Sequence, residues 1–407
     1  MLAAFVAFVA SFSGGAGAAE AKLRPLPDTS DGVHVWNDQF TNAMTDAQVR
    51  FIARHQDGTQ KIGPRDAARL RRHNRRFQVL HYRLGIGAGP VVFRVGENWL
   101  TDFERVTRHE DWFFHLDGRR VHQTQWNWDL MDPDSGWRRY WVRSVLREAR
   151  AGRMDGVFAD SLSVPHYLGA ESFDPPLTYF EGERAWTRRV NSFMRYAKRR
   201  LRGRLRFVPN AGSLITTRDR TDYAIPDGVM VEGCAQGGPD AGYAPADWEL
   251  QLNRILRIVR RGRLVICQSY LGPEHLQARG FVLGTYLLFK GRRSFVNMEM
   301  GLEPESFPEY DVPIGRPVAK PPKRIAALRT PGGAYARRFT GGWALANPGE
   351  GAAVFRFAGK RYLVRPVGGG LLPADARTDG WRLEYEPVTG AAELGPRSGA
   401  VLLTQRP

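Results

Sequence analysis

Two phrases in the sequence arrive at a carboxylate in the same way. DGVFADS covers Asp155–Ser161 and DGVMVEG covers Asp227–Gly233, each an Asp-Gly step followed by an apolar run that stops at Asp160 or Glu232. A short apolar run with an acidic end reads as a buried strand that delivers its last side chain to a site. Two such carboxyl groups can divide the work of breaking an acetal. One attacks the anomeric carbon or activates water, while the other protonates the departing oxygen. Sequence spacing gives no distance between them, so retention and inversion of configuration both stay open here. Either residue could instead cap the following helix or hold an arginine.

The neighbouring strand ends carry residues suited to a polyhydroxylated substrate. Trp36 and Asp38 close the first run, and His81 and Tyr82 lie in the second. The stretch NWDLMDPDSGW supplies Trp128 and Asp132, and FVPNAGS supplies Asn210. CQSY supplies Gln268 and Tyr270, and VNME supplies Asn297. Amides, hydroxyls and carboxylates can bind sugar hydroxyls, and an indole offers a flat face to the C–H side of a pyranose. Two of these have a strong structural alternative: aromatic residues on strands are ordinary core, and DPDSGW is a turn and helix N-cap sequence. A Walker phosphate loop, a G-x-S-x-G elbow and an H-E-x-x-H zinc motif are all missing. Gly85, Gly87 and Gly89 imitate a phosphate loop only weakly. No metal and no cofactor is expected.

The elements that must position these residues alternate. From about residue 31 to 300, β-branched or aromatic runs are separated by longer arginine-rich segments of helical period. Strands are expected at Val33–Phe40, Phe77–Arg83, Gln125–Met131, Gly156–Asp160, Leu205–Asn210, Gly228–Glu232, Leu264–Ser269 and Ser294–Met298. Helices are expected at Trp137–Ala151, Glu183–Leu201, Asp247–Arg261 and Pro273–Lys290. This is α/β alternation, and its count suits a (β/α)8 TIM barrel, in which chemistry gathers where the strands end. Asp160 and Glu232 then end strands four and six. The stretch Val92–Val121 interrupts the alternation and could shape a cleft wall. Prolines at 304, 308, 313, 317, 321 and 322 suggest a linker, and short turn-rich runs beyond it suggest a small antiparallel β-sandwich. The expected division is a leader over 1–21, a barrel over 22–303, a linker over 304–323 and a sandwich over 324–407.

Composition narrows the class. Of the 407 residues, 43% are hydrophobic and 11% aromatic, enough for a packed core and too much for a disordered chain. The formal charge is +17, mostly from arginine, which would favour an anionic partner such as an acidic polysaccharide. Nucleic acid is not expected, because no recognition module accompanies the charge. Residues 1–21, MLAAFVAFVASFSGGAGAAEA, resemble a secretory leader without its basic start, so a secreted or periplasmic location is expected. No later segment is long and apolar enough for a membrane span. Cys234 and Cys267 could pair or remain two buried thiols.

DGVFADS, VPNAGS, DGVMVEG and ICQSY, in that order, resemble the hypothetical glycosyl hydrolases with a TIM barrel. More distantly they are similar to retaining families of the α-galactosidase and dextranase type. The resemblance covers roughly residues 31–300. It implies Asp160 as nucleophile and Glu232 as general acid/base, acting on a polysaccharide or oligosaccharide. Such families also include chains that bind glycans without cleaving them. An esterase fits less well, since it would need a serine elbow or a metal cluster.

Overall fold

The computed structural model describes residues 23–40, 43–90, 102–164, 172–177, 181–299 and 301–407. The expected leader over 1–21 lies outside the described residues. Two parallel sheets form the centre. The larger has five strands: β1 (Trp36–Asn37), β2 (Gly58–Gln60), β3 (Gln78–Leu84), β4 (Gly156–Asp160) and β5 (Arg206–Pro209). The smaller has three: β6 (Gly228–Glu232), β7 (Leu264–Gln268) and β8 (Ser294–Asn297). Single parallel bridges link the sheets at both edges, Asn210 with Met230 and Val35 with Val296. Helices follow most strands: α1 (Asp46–His55), α2 (Pro64–His73), α3 (Trp137–Ala151), α4 (Glu181–Leu201), α5 (Pro245–Arg260) and α6 (Leu276–Phe289).

Period-two alternation along these strands sorts their side chains. Trp36, Leu80, Tyr82, Phe158, Val208, Met230, Leu264, Ile266 and Phe295 form one buried cluster. Val79, Val157, Ala159, Val229, Val231 and Val265 join the larger cluster beneath the helices. Asp160 and Glu232 stand two residues beyond Phe158 and Met230, so they belong to the first face.

The Asp-Gly step does its work at the other end of each strand. Asp155 accepts the backbone N–H of Val79 at 2.8 Å and Arg71 Nη2 at 2.7 Å. Asp227 likewise accepts Phe207 N at 3.0 Å and pairs with Lys198. Each aspartate thereby fixes its own strand against the one before it. The glycines leave no room for a side chain: a Cβ on Gly156 would lie 2.6 Å from Arg206 O, and one on Gly228 would lie 2.5 Å from Leu264 O.

Two expectations about strands change. Gln125–Met131 is not a parallel strand; only Trp128–Leu130 is extended, in a small antiparallel sheet with His122–Gln123, Phe173–Asp174 and Gly87–Ala88. The expected third strand is therefore part of the insertion after β3. β3 and β4 pair directly with nothing between them, and the eighth strand is instead Gly58–Gln60, between β1 and β3, a polar run whose Thr59 and Gln60 are fully buried by hydrogen bonding rather than by apolar character. The described part of the other interrupting stretch, 102–121, is anchored through Asp102, which accepts Arg83 Nη2 at 2.7 Å and the Tyr140 hydroxyl at 2.6 Å.

The proline-rich segment packs tightly against the α/β body. Glu305–Ser306 pairs with Gly370–Leu371, and Pro308, Glu309 and Tyr310 are buried. Beyond it, β9 (Tyr335–Arg338), β10 (Gly342–Asn347), β11 (Ala353–Val367), β12 (Arg382–Leu394) and β13 (Ser398–Leu403) form one five-stranded antiparallel sheet. In place of the two facing sheets expected there is this one: Leu345, Phe355, Leu363, Leu394 and Leu402 form a buried cluster of their own on one face, and the other face is covered by helix α6. It is apolar nearly all round, as a helix covered on both sides must be. Gly280 and Gly284 let the sheet backbone at Gly399 and Leu345 approach it directly.

Candidate active site

Asp160, Glu232 and the residues after β1, β2, β5 and β7 meet where the parallel strands end. Asn210 lies between the two carboxyl groups. Its side-chain amide donates to Asp160 Oδ1 at 2.9 Å and to Glu232 Oε2 at 2.5 Å. These two oxygens can be no farther apart than those two bonds laid end to end. The amide is itself fixed, because Asn210 Oδ1 accepts Gly212 N at 3.0 Å.

Asp160 also accepts the Tyr82 hydroxyl at Oδ2 (2.7 Å) and Ser161 N at Oδ1 (2.9 Å). Ser161 can offer that N–H because its backbone turns into the left-handed region, φ 52°. Glu232 accepts or shares a proton with Tyr270, whose hydroxyl lies 2.9 Å from Oε1 and 3.4 Å from Asp38 Oδ2. Asp38 is buried and holds Lys61 Nζ at 2.9 Å and Gln60 Nε2 at 2.7 Å. Lys61 too has a left-handed backbone, φ 58°, directly after β2.

Burial raises the pKa of Glu232 above the ordinary carboxylate range, and the negative charges of Asp160 and Asp38 push the same way. The Lys61 ammonium and the Asn210 amide oppose that rise. Burial works against the Lys61 charge, but Asp38, Asp160 and Glu232 together outweigh it and raise its pKa. Tyr82 and Tyr270 are pushed well above the usual phenol range by burial and by these carboxylates, so both keep their protons. The arrangement offers one carboxyl group rich in donors and a second inclined to hold a proton. That division is what acid-assisted displacement at a sugar acetal requires.

Of the residues expected to bind substrate, Asp38, Tyr82, Asn210 and Tyr270 surround the carboxylates. Of the others, Trp36, Trp128, His81 and Asp132 serve packing or pairing away from the carboxylates, while Gln268 and Asn297 lie on the same strand face as Glu232, Gln268 beside it in register. Trp36 is fully buried: its ring fills the space over Gly58, and its indole N–H donates to Gln60 Oε1 at 2.5 Å, so it cannot stack on a sugar. Trp128 is buried against Gly87, Gly89 and Phe173, which also explains the glycine run as packing. His81 follows the alternation to the helix side and meets Glu148 at 3.0 Å. Asp132 pairs with Arg189 at 2.9 Å and accepts Asp134 N, the turn role open to it from the start. Gln268 and Asn297 are buried and bond to each other at 2.9 Å.

Sequence reasoning passed over Lys61 and Gln60. A usable signal was present, since Asp57-Gly58 is a third Asp-Gly step ahead of a site strand. Glu299, just past the end of β8, accepts Gln56 Nε2 at 2.8 Å and also Asn37; burial and then Glu305 raise its pKa well above the ordinary range. Cys234 and Cys267, left open by the sequence, form a disulfide with Cα atoms 5.2 Å apart, tying the turn behind Glu232 to β7. Beside that turn, a cleft of about 590 Å³ opens between Gln236–Gly242, the start of α6 and the C-terminal sheet at Glu350 and Arg397.

The sequence profile of hypothetical glycosyl hydrolase family 15 matches residues 71–343. No curated protein sequence matches the chain. Among solved structures, it is similar to the glycoside hydrolase domain of PelA from Pseudomonas aeruginosa, at 17% identity and TM-score 0.44, over 69% of this chain and 97% of that one. It is also similar to Aspergillus fumigatus Ega3 in complex with galactosamine, at 14% identity and TM-score 0.41, over 69% and 96%. A GH27 β-L-arabinopyranosidase from Geobacillus stearothermophilus aligns at 11% identity and TM-score 0.46, over 93% and 97%.

Proposed function

As the chain belongs to hypothetical glycosyl hydrolase family 15 and is a glycoside hydrolase, we propose that it cleaves O-glycosidic bonds of an extracellular or cell-envelope polysaccharide by a retaining mechanism. Asp160 is the nucleophile and Glu232 the general acid/base. The observation that carries this reading is the Asn210 amide bonded to both carboxyl groups. Bonds of 2.9 and 2.5 Å from one nitrogen limit the distance between the facing oxygens, and so close an approach favours a retaining pair, with its carboxyl groups ~5–5.5 Å apart, over an inverting one at ~6.5–9.5 Å.

In this reading, Asp160 attacks the anomeric carbon while Glu232 gives its proton to the leaving oxygen. A water then enters, Glu232 takes its proton back, and Asp160 is released. Tyr82 and Ser161 N hold the nucleophile in place, and Asp38 and Lys61 are positioned to bind hydroxyls of the sugar. The eight parallel strands, with a bridge across each gap between the sheets, support a (β/α)8 barrel as the scaffold. The leader-like residues 1–21 and the disulfide favour an oxidising compartment outside the cytoplasm. The charge of +17 favours an anionic matrix or envelope polymer.

The test is reducing-end release from a panel of bacterial exopolysaccharides by wild type, Asp160→Asn and Glu232→Gln. Cleavage by wild type alone is expected. Glycan binding with no cleavage across the panel would instead identify a binding protein on the same scaffold.

A further inference from the structure

The hydroxyl of Tyr270 lies within reach of two carboxyl groups but has one hydrogen to give. Glu232 Oε1 is 2.9 Å away and Asp38 Oδ2 is 3.4 Å away. The other oxygen of Glu232 accepts the Asn210 amide, so an acid proton on Glu232 must sit on Oε1, facing Tyr270. Asp38 is held as the anion, since one of its oxygens takes Lys61 Nζ and the other takes Gln60 Nε2. One assignment makes every contact a donor facing an acceptor: Glu232 donates to the Tyr270 oxygen, and Tyr270 donates to Asp38.

We propose that Tyr270 is a positioning residue that directs the acid proton, its hydrogen turned to Asp38 while Glu232 is protonated and to Glu232 once that proton has left. The inference rests on the reading of Glu232 as acid/base. As the glycosidic C–O bond breaks and Asp160 forms its bond to the anomeric carbon, the Glu232 proton passes to the leaving oxygen. Tyr270 then rotates its hydrogen onto the bare Oε1 and stabilises the new carboxylate. When water attacks and returns a proton to Glu232, the hydrogen turns back to Asp38. No atom is gained or lost by the tyrosine in the cycle. Lys61 acts at one remove, because by holding Asp38 ionised it keeps an acceptor waiting on the far side of Tyr270. The charged or titratable groups facing Glu232 are Asp160 from β4, Asp38 after β1, Lys61 after β2, Tyr82 from β3 and Tyr270 after β7.

The test is the titration of Glu232 itself, followed by NMR in protein labelled with 13Cδ-glutamate and assigned with Glu232→Gln. Tyr270→Phe removes the donor to the ionised form, so the Glu232 midpoint rises by on the order of one pH unit. Asp38→Asn removes a neighbouring negative charge and frees the Tyr270 hydrogen for the ionised Glu232, so the midpoint falls by a similar amount. In the double variant the Asp38→Asn shift shrinks, because only the charge effect is left. Asp38→Ala serves if Asp38→Asn does not fold, and an unmoved signal from Glu309, buried against Arg279, reports an intact fold. Shifts in one common direction, or an Asp38 effect indifferent to the loss of Tyr270, overturn the proposal. Titration needs no substrate, so the hydrolase reading can fail separately: an inactive protein with both opposed shifts would sink that reading and leave only the hydrogen-bond switch of Tyr270 between Glu232 and Asp38.

Discussion

Replacing Asn210 by alanine removes an amide that is hydrogen-bonded to both carboxyl groups. Asp160 keeps Tyr82 and Ser161 N, and Glu232 keeps Tyr270, so neither becomes an unpaired buried charge. What is lost is one charge-assisted hydrogen bond to the nucleophile, another to the acid, and the tie that holds their oxygens close. A hydrogen bond to a charged group contributes ~1.5–3 kcal/mol, which corresponds to about 10- to 150-fold in kcat/KM if one such bond is tighter in the transition state. The sign of the pH effect follows as well. The Asn210 bond opposes the upward shift of Glu232, so Asn210→Ala raises that pKa and carries the alkaline limb of the rate profile to higher pH. The assay is kcat/KM against pH on whichever exopolysaccharide wild type cleaves, with near-UV circular dichroism as a fold check. A correctly folded Asn210→Ala within about threefold of wild type at every pH would refute the bridging role.

Two further outcomes concern the scaffold. Arg279 and Glu309 are almost wholly buried, joined by two bonds of 2.6 Å, and Arg279 also caps the Pro273 carbonyl and lies on Phe307. Arg279→Met alone leaves a buried carboxylate and is expected to cost about 3–5 kcal/mol in urea unfolding, whereas Arg279→Met with Glu309→Leu costs much less than the sum of the two single changes; additive effects would contradict this. Lys290 is fully buried between α6 and β8, where burial and then Arg337 pull its pKa to about 7. Between about pH 7 and the unfolded value of ~10.4, only the unfolded chain binds that proton, so stability rises with pH by up to about 1.4 kcal/mol per unit. Lys290→Met should remove that part of the slope and be more stable than wild type at pH 6; parallel stability curves for the two proteins would rule the effect out.

How much of this was readable in advance depended on what each feature leaves in a sequence. Asp160 and Glu232 were legible because their strands are apolar and end abruptly on a carboxylate. The residues that surround them were legible where they close a run, as Asn210 and Tyr270 do. β2 was not, because Gly58–Gln60 is buried through hydrogen bonds and carries no apolar pattern. Lys61 went with it. Gln125–Met131 misled for the opposite reason: Trp128, Leu130 and Met131 are apolar and buried, but in the core of an insertion. Trp36 and Trp128 show that an aromatic ring near a strand end can be filling a space opened by glycine. His81 could have been placed correctly by carrying the alternation from Leu80 and Tyr82, which puts it on the helix side. The C-terminal sheet was legible as strands, but its covering by α6 depends on Gly280 and Gly284, whose meaning appears only once the sheet lies against them.

The central claim is that Asp160 forms a bond to the sugar while Glu232 manages the proton. Mass spectrometry after incubation with cyclitol aziridines of several sugar configurations tests it most directly, since these label the nucleophile of a retaining enzyme. The account predicts a single adduct on the peptide that carries Asp160, absent in Asp160→Asn. An adduct on Glu232 or on any other residue, or cleavage products that first appear with inverted anomeric configuration, would contradict it.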